Sequence, residues 1–293
     1  MATINELKID LEERSLRSLL DVQTPKDCKL VAEGDSWFAY PLVKDIIDHL
    51  RQMGYAIKNH SKSGDTLENM VFGTDFSIAA SVGRANNYGP TSLAGTIRSI
   101  QNLKPKFVLL SAGGNDVVGP ELTQYLNHKR SGLPLFRESL FRDSINGYIK
   151  RALTTFIEEV WKVDPQIHVI MHGYDYAIPN GTQYEFAGIN LAGPWVLPAF
   201  AKEAITDRAE QDRIIRQLVD IFNELLTGLG NSYPNFHHID LRGMFPDEAQ
   251  WHNEIHLKSE GYEQVAMLFH QKVVEILNYN PVVAMGNTAL PGH

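Results

Sequence analysis

The stretch KLVAEGDSWFAYP, residues 29–41, holds a short apolar run that stops at Gly34-Asp35-Ser36 and continues into three aromatics and a proline. An apolar run of this length, bounded by turn formers, reads as a buried strand over residues 29–33. Taken alone, Gly-Asp-Ser is a strand-to-helix turn, since all three residue types favour turns. Ser36 becomes a chemical site only if other segments bring partners to its hydroxyl.

The same pattern recurs along the chain. Further strands are expected at residues 56–60, 107–111, 168–172 and 236–241, several nearly continuous in apolar character, as strands buried on both faces are. Helical periodicity fits residues 42–53, 92–102, 136–163, 207–229 and 260–277. Strand-helix alternation over this length predicts an α/β sandwich around a parallel sheet. Two connections are long for a compact α/β domain: residues 66–91, and a Gly-, Pro- and aromatic-rich insertion at about residues 176–204. With no repeat and no low-complexity linker, residues 1–293 read as one domain with inserted loops and an N-terminal helical extension over about residues 1–25.

Bulk properties narrow the function. The chain has 293 residues, 43% of them hydrophobic and 21% charged, with a formal net charge of −8. That composition predicts a packed core and lacks the basic footprint of a nucleic-acid binder. A single cysteine, Cys28, excludes an internal disulfide and a cysteine zinc cage, and reads as a small core residue. The first residues mix acids and bases and do not read as a signal peptide, and no window is apolar enough to span a membrane, so a cytoplasmic protein is expected. There is no G-x-x-x-x-G-K-[ST] loop and no G-x-G-x-x-G after a strand, which argues against a nucleotide site. The G-x-S-x-G elbow is also absent, because Phe38 stands at the second glycine position.

Ligands of parallel α/β sheets sit beyond the carboxyl ends of the strands. Strand 29–33 ends at Ser36, strand 56–60 runs into Gly64, and strand 107–111 into Gly113-Gly114-Asn115-Asp116. Before the last helix stands WHNEIHLKSEGY, with His252, Asn253, Glu254 and His256. These types suit nucleophilic acyl chemistry. A serine hydroxyl needs an imidazole to take its proton, here His256. The oxyanion then formed needs preorganised donors, for which the Ser36 and Gly64 backbone amides and the Asn115 side chain are candidates.

The four segments in this order resemble the SGNH hydrolases, the GDSL-like esterase and lipase superfamily, over about residues 29–275. The resemblance implies a flavodoxin-like three-layer α/β/α sandwich and hydrolysis of esters through an acyl-enzyme without metal or organic cofactor. It implies Ser36 as nucleophile, His256 as base and then acid, and an oxyanion hole of Ser36, Gly64 and Asn115. The family usually carries aspartate three residues before the histidine, where this chain has Asn253. An amide can hold the imidazole tautomer if its oxygen faces Nδ1, but cannot supply a charge. A Ser36-His256-Asn253 arrangement is the favoured reading. A Ser-His dyad backed by a carbonyl, or a triad completed elsewhere, stays open; Asp247 and Glu254 are near in sequence without the usual spacing.

Asp35 and Asp116 read as turn or cap residues. Among the 11 histidines, His168 and His172 share a strand face but stand about 13 Å apart at the strand rise, too far to share a metal. His237 and His238 should point to opposite faces. HNEIH lacks the H-E-x-x-H order, so no metal is expected. The aromatics of the 176–204 insertion pack a loop core or cover the site, with Trp37, Tyr174 and Trp195 as the candidate substrate contacts and Phe38 and Tyr40 near the same pocket. The expected partner is a small-molecule or glycan ester. Competing readings are a carbohydrate O-deacetylase of the same mechanism and a non-catalytic SGNH-like binding protein.

Overall fold

In a computed structural model, residues 28–41, 43–73, 92–186 and 189–278 are described. The N-terminal extension, Leu42, most of the first long insertion and two residues of the second lie outside them. Five parallel strands form the sheet: β1 Lys29–Gly34, β2 Ala56–Asn59, β3 Phe107–Ser111, β4 His168–His172 and β7 Phe236–Ile239, in the order β2-β1-β3-β4-β7. A two-stranded antiparallel hairpin, β5 Tyr184–Phe186 and β6 Ile189–Ala192, belongs to the second insertion.

Alternation of side chains along each strand divides the core in two. Val31, Val108, Leu110, Val169 and Met171 face one layer, packed against α2 Leu67–Phe72, α3 Ser92–Leu103, α5 Lys150–Val163 and α7 Arg208–Ser232. Leu30, Ala32, Phe107, Leu109 and Ile170 face the other, packed against α1 Ile46–Gln52 and α8 Ser259–Asn278. Both faces of the sheet are therefore covered, giving three α/β/α layers.

Two helices differ from the sequence reading, for local reasons. The helix expected from residue 42 begins at Ile46, because Asp45 is its N-cap and accepts the Asp48 N–H at 3.0 Å. The helix expected over 136–163 is interrupted. Helix α4 Glu138–Ser144 passes into a π-helical turn, Ile145–Ile149, before α5. Gly147 there leaves the helical region at φ −86°, ψ −105°, a conformation that a residue without Cβ tolerates. Short elements at Leu67–Phe72 (α2), Gly119–Tyr125 (a 3₁₀ turn) and Leu197–Lys202 (α6) escaped periodicity because each is too brief to show it.

The strand order positions the site. The chain leaves β1 toward β2, then crosses back to place β3 on the other side of β1, so the switch point lies between the carboxyl ends of β1 and β3. Gly34 allows these ends to approach: a Cβ there would lie 2.8 Å from the Ser111 carbonyl oxygen. The Asp35 N–H donates to that same oxygen at 3.0 Å and extends the pairing one residue past the strand.

Candidate active site

Ser36 follows β1 at this switch point, and its side chain is almost fully buried. His256 precedes α8, and its Nε2 lies 2.7 Å from Ser36 Oγ although the two are 220 residues apart. The other ring nitrogen, Nδ1, lies 3.0 Å from Asn253 Oδ1.

The orientation of the Asn253 amide follows from its neighbours. The backbone N–H groups of Ile255 and His256 reach the same Asn253 atom at 3.2 and 3.0 Å, and such groups only donate, so that atom is the oxygen. The hydrogen of His256 therefore sits on Nδ1, and Nε2 is left as the acceptor facing Ser36. Asn253 Nδ2 points away, to the Tyr40 hydroxyl oxygen at 3.1 Å.

Burial, with a smaller contribution from neighbouring His252, pushes the His256 pKa down to about 3. The ring nitrogens meet an amide and a hydroxyl, and no carboxylate offsets the desolvation. Tyr40 stacks on the imidazole with ring centroids 4.4 Å apart, and Trp195 meets it edge-on at 5.4 Å.

The remaining sequence candidates lie on adjoining loops. Gly64 adopts φ +78°, a left-handed conformation that favours glycine, and the space where a Cβ would stand is open. Asn115 donates from Nδ2 to the Asp65 carbonyl at 2.9 Å, joining the β3 loop to the Gly64 loop and leaving its second amide hydrogen uncommitted to that bond. Asp116 reinforces the same join. Its carboxylate accepts the Leu67 and Glu68 N–H groups at 2.8 and 3.2 Å, at the start of α2. It is a helix-capping residue, supplied by another loop.

Asp35 lies beneath the serine and holds three elements together. It accepts the Trp37 N–H at 3.0 Å and the Ser111 hydroxyl at 2.7 Å, and the Tyr174 hydroxyl at 2.5 Å. Burial raises its pKa to about 6 against the lowering effect of those bonds. Tyr174 is thus tied into the floor of the site, while its hydroxyl also receives the Gly114 N–H at 3.3 Å. Trp37 donates from its indole to the Ile255 carbonyl at 3.1 Å and stacks on His172.

A cavity of about 100 Å³ opens beside Ser36. Ser36, Trp37, Gly114, Asn115 and Tyr174 line it together with Val118, Leu122, Phe141, Val196, Ile215, Leu218 and Phe222. Its walls are almost wholly apolar.

The sequence reading did not single out Tyr40, His252 or Glu254 in the parts they take here. Glu254 is wholly buried, and its carboxylate accepts four backbone N–H groups of the second insertion: Gly181 and Leu197 at 3.0 Å each, Trp195 at 2.5 Å and Val196 at 2.7 Å. It is committed to that segment and does not touch the His256 ring. Asp247 caps a short 3₁₀ turn, Glu248–Gln250. A charged residue inside HNEIH hinted that something unusual lay there, but only contacts across the fold show what it holds. Among the described residues no group of three or more His, Cys, Asp or Glu side chains could hold a metal ion. His168 and His237 meet as a pair at 2.9 Å, and His238 turns to Asn223 at 3.0 Å.

No family model matches the chain, and no curated protein matches it in sequence. Solved structures do. The lipase Lip_vut3 from a goat rumen metagenome aligns with a TM-score of 0.51 at 15% identity, over 84% of this chain and 96% of that one. An extracellular lipase from Streptomyces rimosus aligns at 0.50 and 13%, over 82% and 97%. A family 3 carbohydrate esterase from Clostridium thermocellum aligns at 0.47 and 14%, over 85% and 96%. At such identities the likeness to the two lipases is one of fold.

Proposed function

We propose that this chain, which has the fold of the SGNH hydrolases, is a serine esterase that hydrolyses carboxylic esters through an acyl-enzyme. One observation carries the reading: a buried serine hydroxyl lies 2.7 Å from an imidazole nitrogen whose partner nitrogen is fixed as N–H by an amide oxygen. In that state Ser36 Oγ attacks the ester carbonyl while its proton passes to His256 Nε2. The tetrahedral oxyanion is received by the Ser36 and Gly64 backbone amides and the free Asn115 amide hydrogen. The intermediate collapses, the C–O bond to the alcohol breaks, and His256 returns the proton to the leaving oxygen. A water molecule then repeats the sequence on the acyl-enzyme, releasing the acid and restoring Ser36. Asn253 orients the imidazole.

The apolar cavity favours an aliphatic acyl chain over a bare acetyl group, and so a simple or lipid ester over an acetylated sugar. The test is p-nitrophenyl ester hydrolysis across acetate, butyrate and octanoate, for wild type and Ser36→Ala. We expect kcat/KM to rise from acetate to butyrate and the serine variant to lose at least about 10³-fold in kcat. Equal rates for wild type and Ser36→Ala would sink the esterase reading. A preference for acetate would turn it toward a deacetylase.

A further inference from the structure

Behind the proposed base stands a chain of hydrogen bonds that all point one way. Asn253 Nδ2 donates to the Tyr40 hydroxyl oxygen at 3.1 Å. That leaves the Tyr40 hydrogen free to donate, and its neighbour at 2.9 Å is His252 Nδ1. Burial, then nearby Tyr184, raises the Tyr40 pKa well above the ordinary tyrosine value, so the hydroxyl keeps its proton. Tyr40 is itself held in place, its N–H donating to the Asp45 carboxylate at 3.0 Å.

We infer that Tyr40 and His252 are positioning residues which, through Asn253, take over the part a carboxylate plays behind a catalytic histidine. The inference rests on the serine-esterase reading. The sequence of donors is Ser36 O–H to His256 Nε2, His256 Nδ1–H to Asn253, Asn253 N–H to Tyr40, and Tyr40 O–H to His252. Successive bonds in such a chain polarise one another. As His256 takes the serine proton, its Nδ1–H becomes a stronger donor. The Asn253 oxygen can meet it because the amide's own hydrogen is drawn toward Tyr40, and that of Tyr40 toward His252. The Tyr40 ring, stacked on the imidazole, also offers its π face to the cation as it forms.

The chain needs His252 neutral. A protonated ring carries hydrogen on both nitrogens, so Nδ1 would donate to Tyr40 and reverse the direction. The groups facing His252 are the Tyr40 and Tyr184 rings, the Lys258 ammonium and His256. Burial, then Lys258, lowers its pKa below the ordinary histidine value. A partial loss of activity on acidification is therefore expected below that value.

The experiment measures kcat and KM for p-nitrophenyl butyrate as a function of pH in wild type, Ser36→Ala, Tyr40→Phe, His252→Leu and His252→Asn. Tyr40→Phe and His252→Leu are expected to lower kcat about tenfold with KM nearly unchanged, by analogy with loss of the outer partners that orient metal-ligating histidines. His252→Asn, whose side-chain oxygen can take the Tyr40 hydrogen, should recover most of that loss and erase the partial acid step. In an Asn253→Asp background the Tyr40→Phe penalty should shrink, because the carboxylate supplies the charge directly. Wild-type kcat in both Tyr40→Phe and His252→Leu, with Ser36→Ala inactive, overturns this inference and leaves the esterase reading standing. Ser36→Ala as active as wild type overturns that reading itself. Should Tyr40→Phe fail to fold, an acid step that persists unchanged in His252→Asn is the contrary result.

Discussion

In the proposed mechanism, Asn253 and the imidazole it faces set the chemistry of the site. With an amide in place of a carboxylate, no described residue supplies a counter-ion at the ring nitrogens, and burial keeps His256 neutral down to about pH 3. The base must be unprotonated to act, so activity governed by this ring is lost only as pH falls through its lowered pKa. Asn253→Asp would favour the charged ring and raise that pKa, so the final acid limb of kcat/KM should move upward; an unmoved limb would mean that another group sets it. Asn253→Ala should retain measurable activity where Ser36→Ala and His256→Ala lose at least about 10³-fold, since a positioning group is partly replaceable and a reacting one is not. Loss from Asn253→Ala as severe as from Ser36→Ala would defeat the orienting role.

The second insertion is attached to the site through Glu254, one carboxylate accepting four backbone N–H groups around the start of α6. It follows Asn253 directly, so the insertion and the histidine loop are held by neighbouring residues. Glu254→Gln keeps the shape but turns an N–H₂ group toward donors that need an acceptor. The expected cost is about 2–4 kcal/mol of stability, from lost charge-assisted bonds and unpaired buried amides. Hydrogen exchange at Trp195, Val196 and Leu197 should accelerate selectively. Unchanged exchange there would mean that the insertion is held by its apolar contacts instead.

Across the whole molecule, the sheet buries ionisable groups under the site. Glu33 on β1 is fully buried, with the Thr96 hydroxyl 2.5 Å from its carboxylate, and desolvation raises its pKa to about 7. A carboxyl whose folded pKa exceeds its unfolded one adds stability below the unfolded value, and loses it as pH rises through the folded one. Glu33→Gln should therefore destabilise less, relative to wild type, at about pH 8 than at about pH 4.5, by on the order of 2–3 kcal/mol. Urea unfolding at both pH values checks this; a pH-independent difference would place Glu33 outside the titration.

The α/β alternation and the five parallel strands were legible in the sequence, because a strand buried on both faces must be apolar along its length and a covering helix must be amphipathic. The ends of the expected helices shifted where a single residue decided them, Asp45 at one and Gly147 at another. The candidate segments were legible too, since parallel strands present their carboxyl ends on one rim and Ser36, Gly64, Asn115 and His256 all follow strands or precede a helix. Amide orientation, tautomer and the partners of buried charge were not. Those depend on contacts between residues more than two hundred positions apart, such as Tyr40 with Asn253 and His252, and on donors and acceptors that only a folded backbone aims at one another. Local sequence thus determined where a nucleophile could stand, and the tertiary structure decided what stands behind its candidate base.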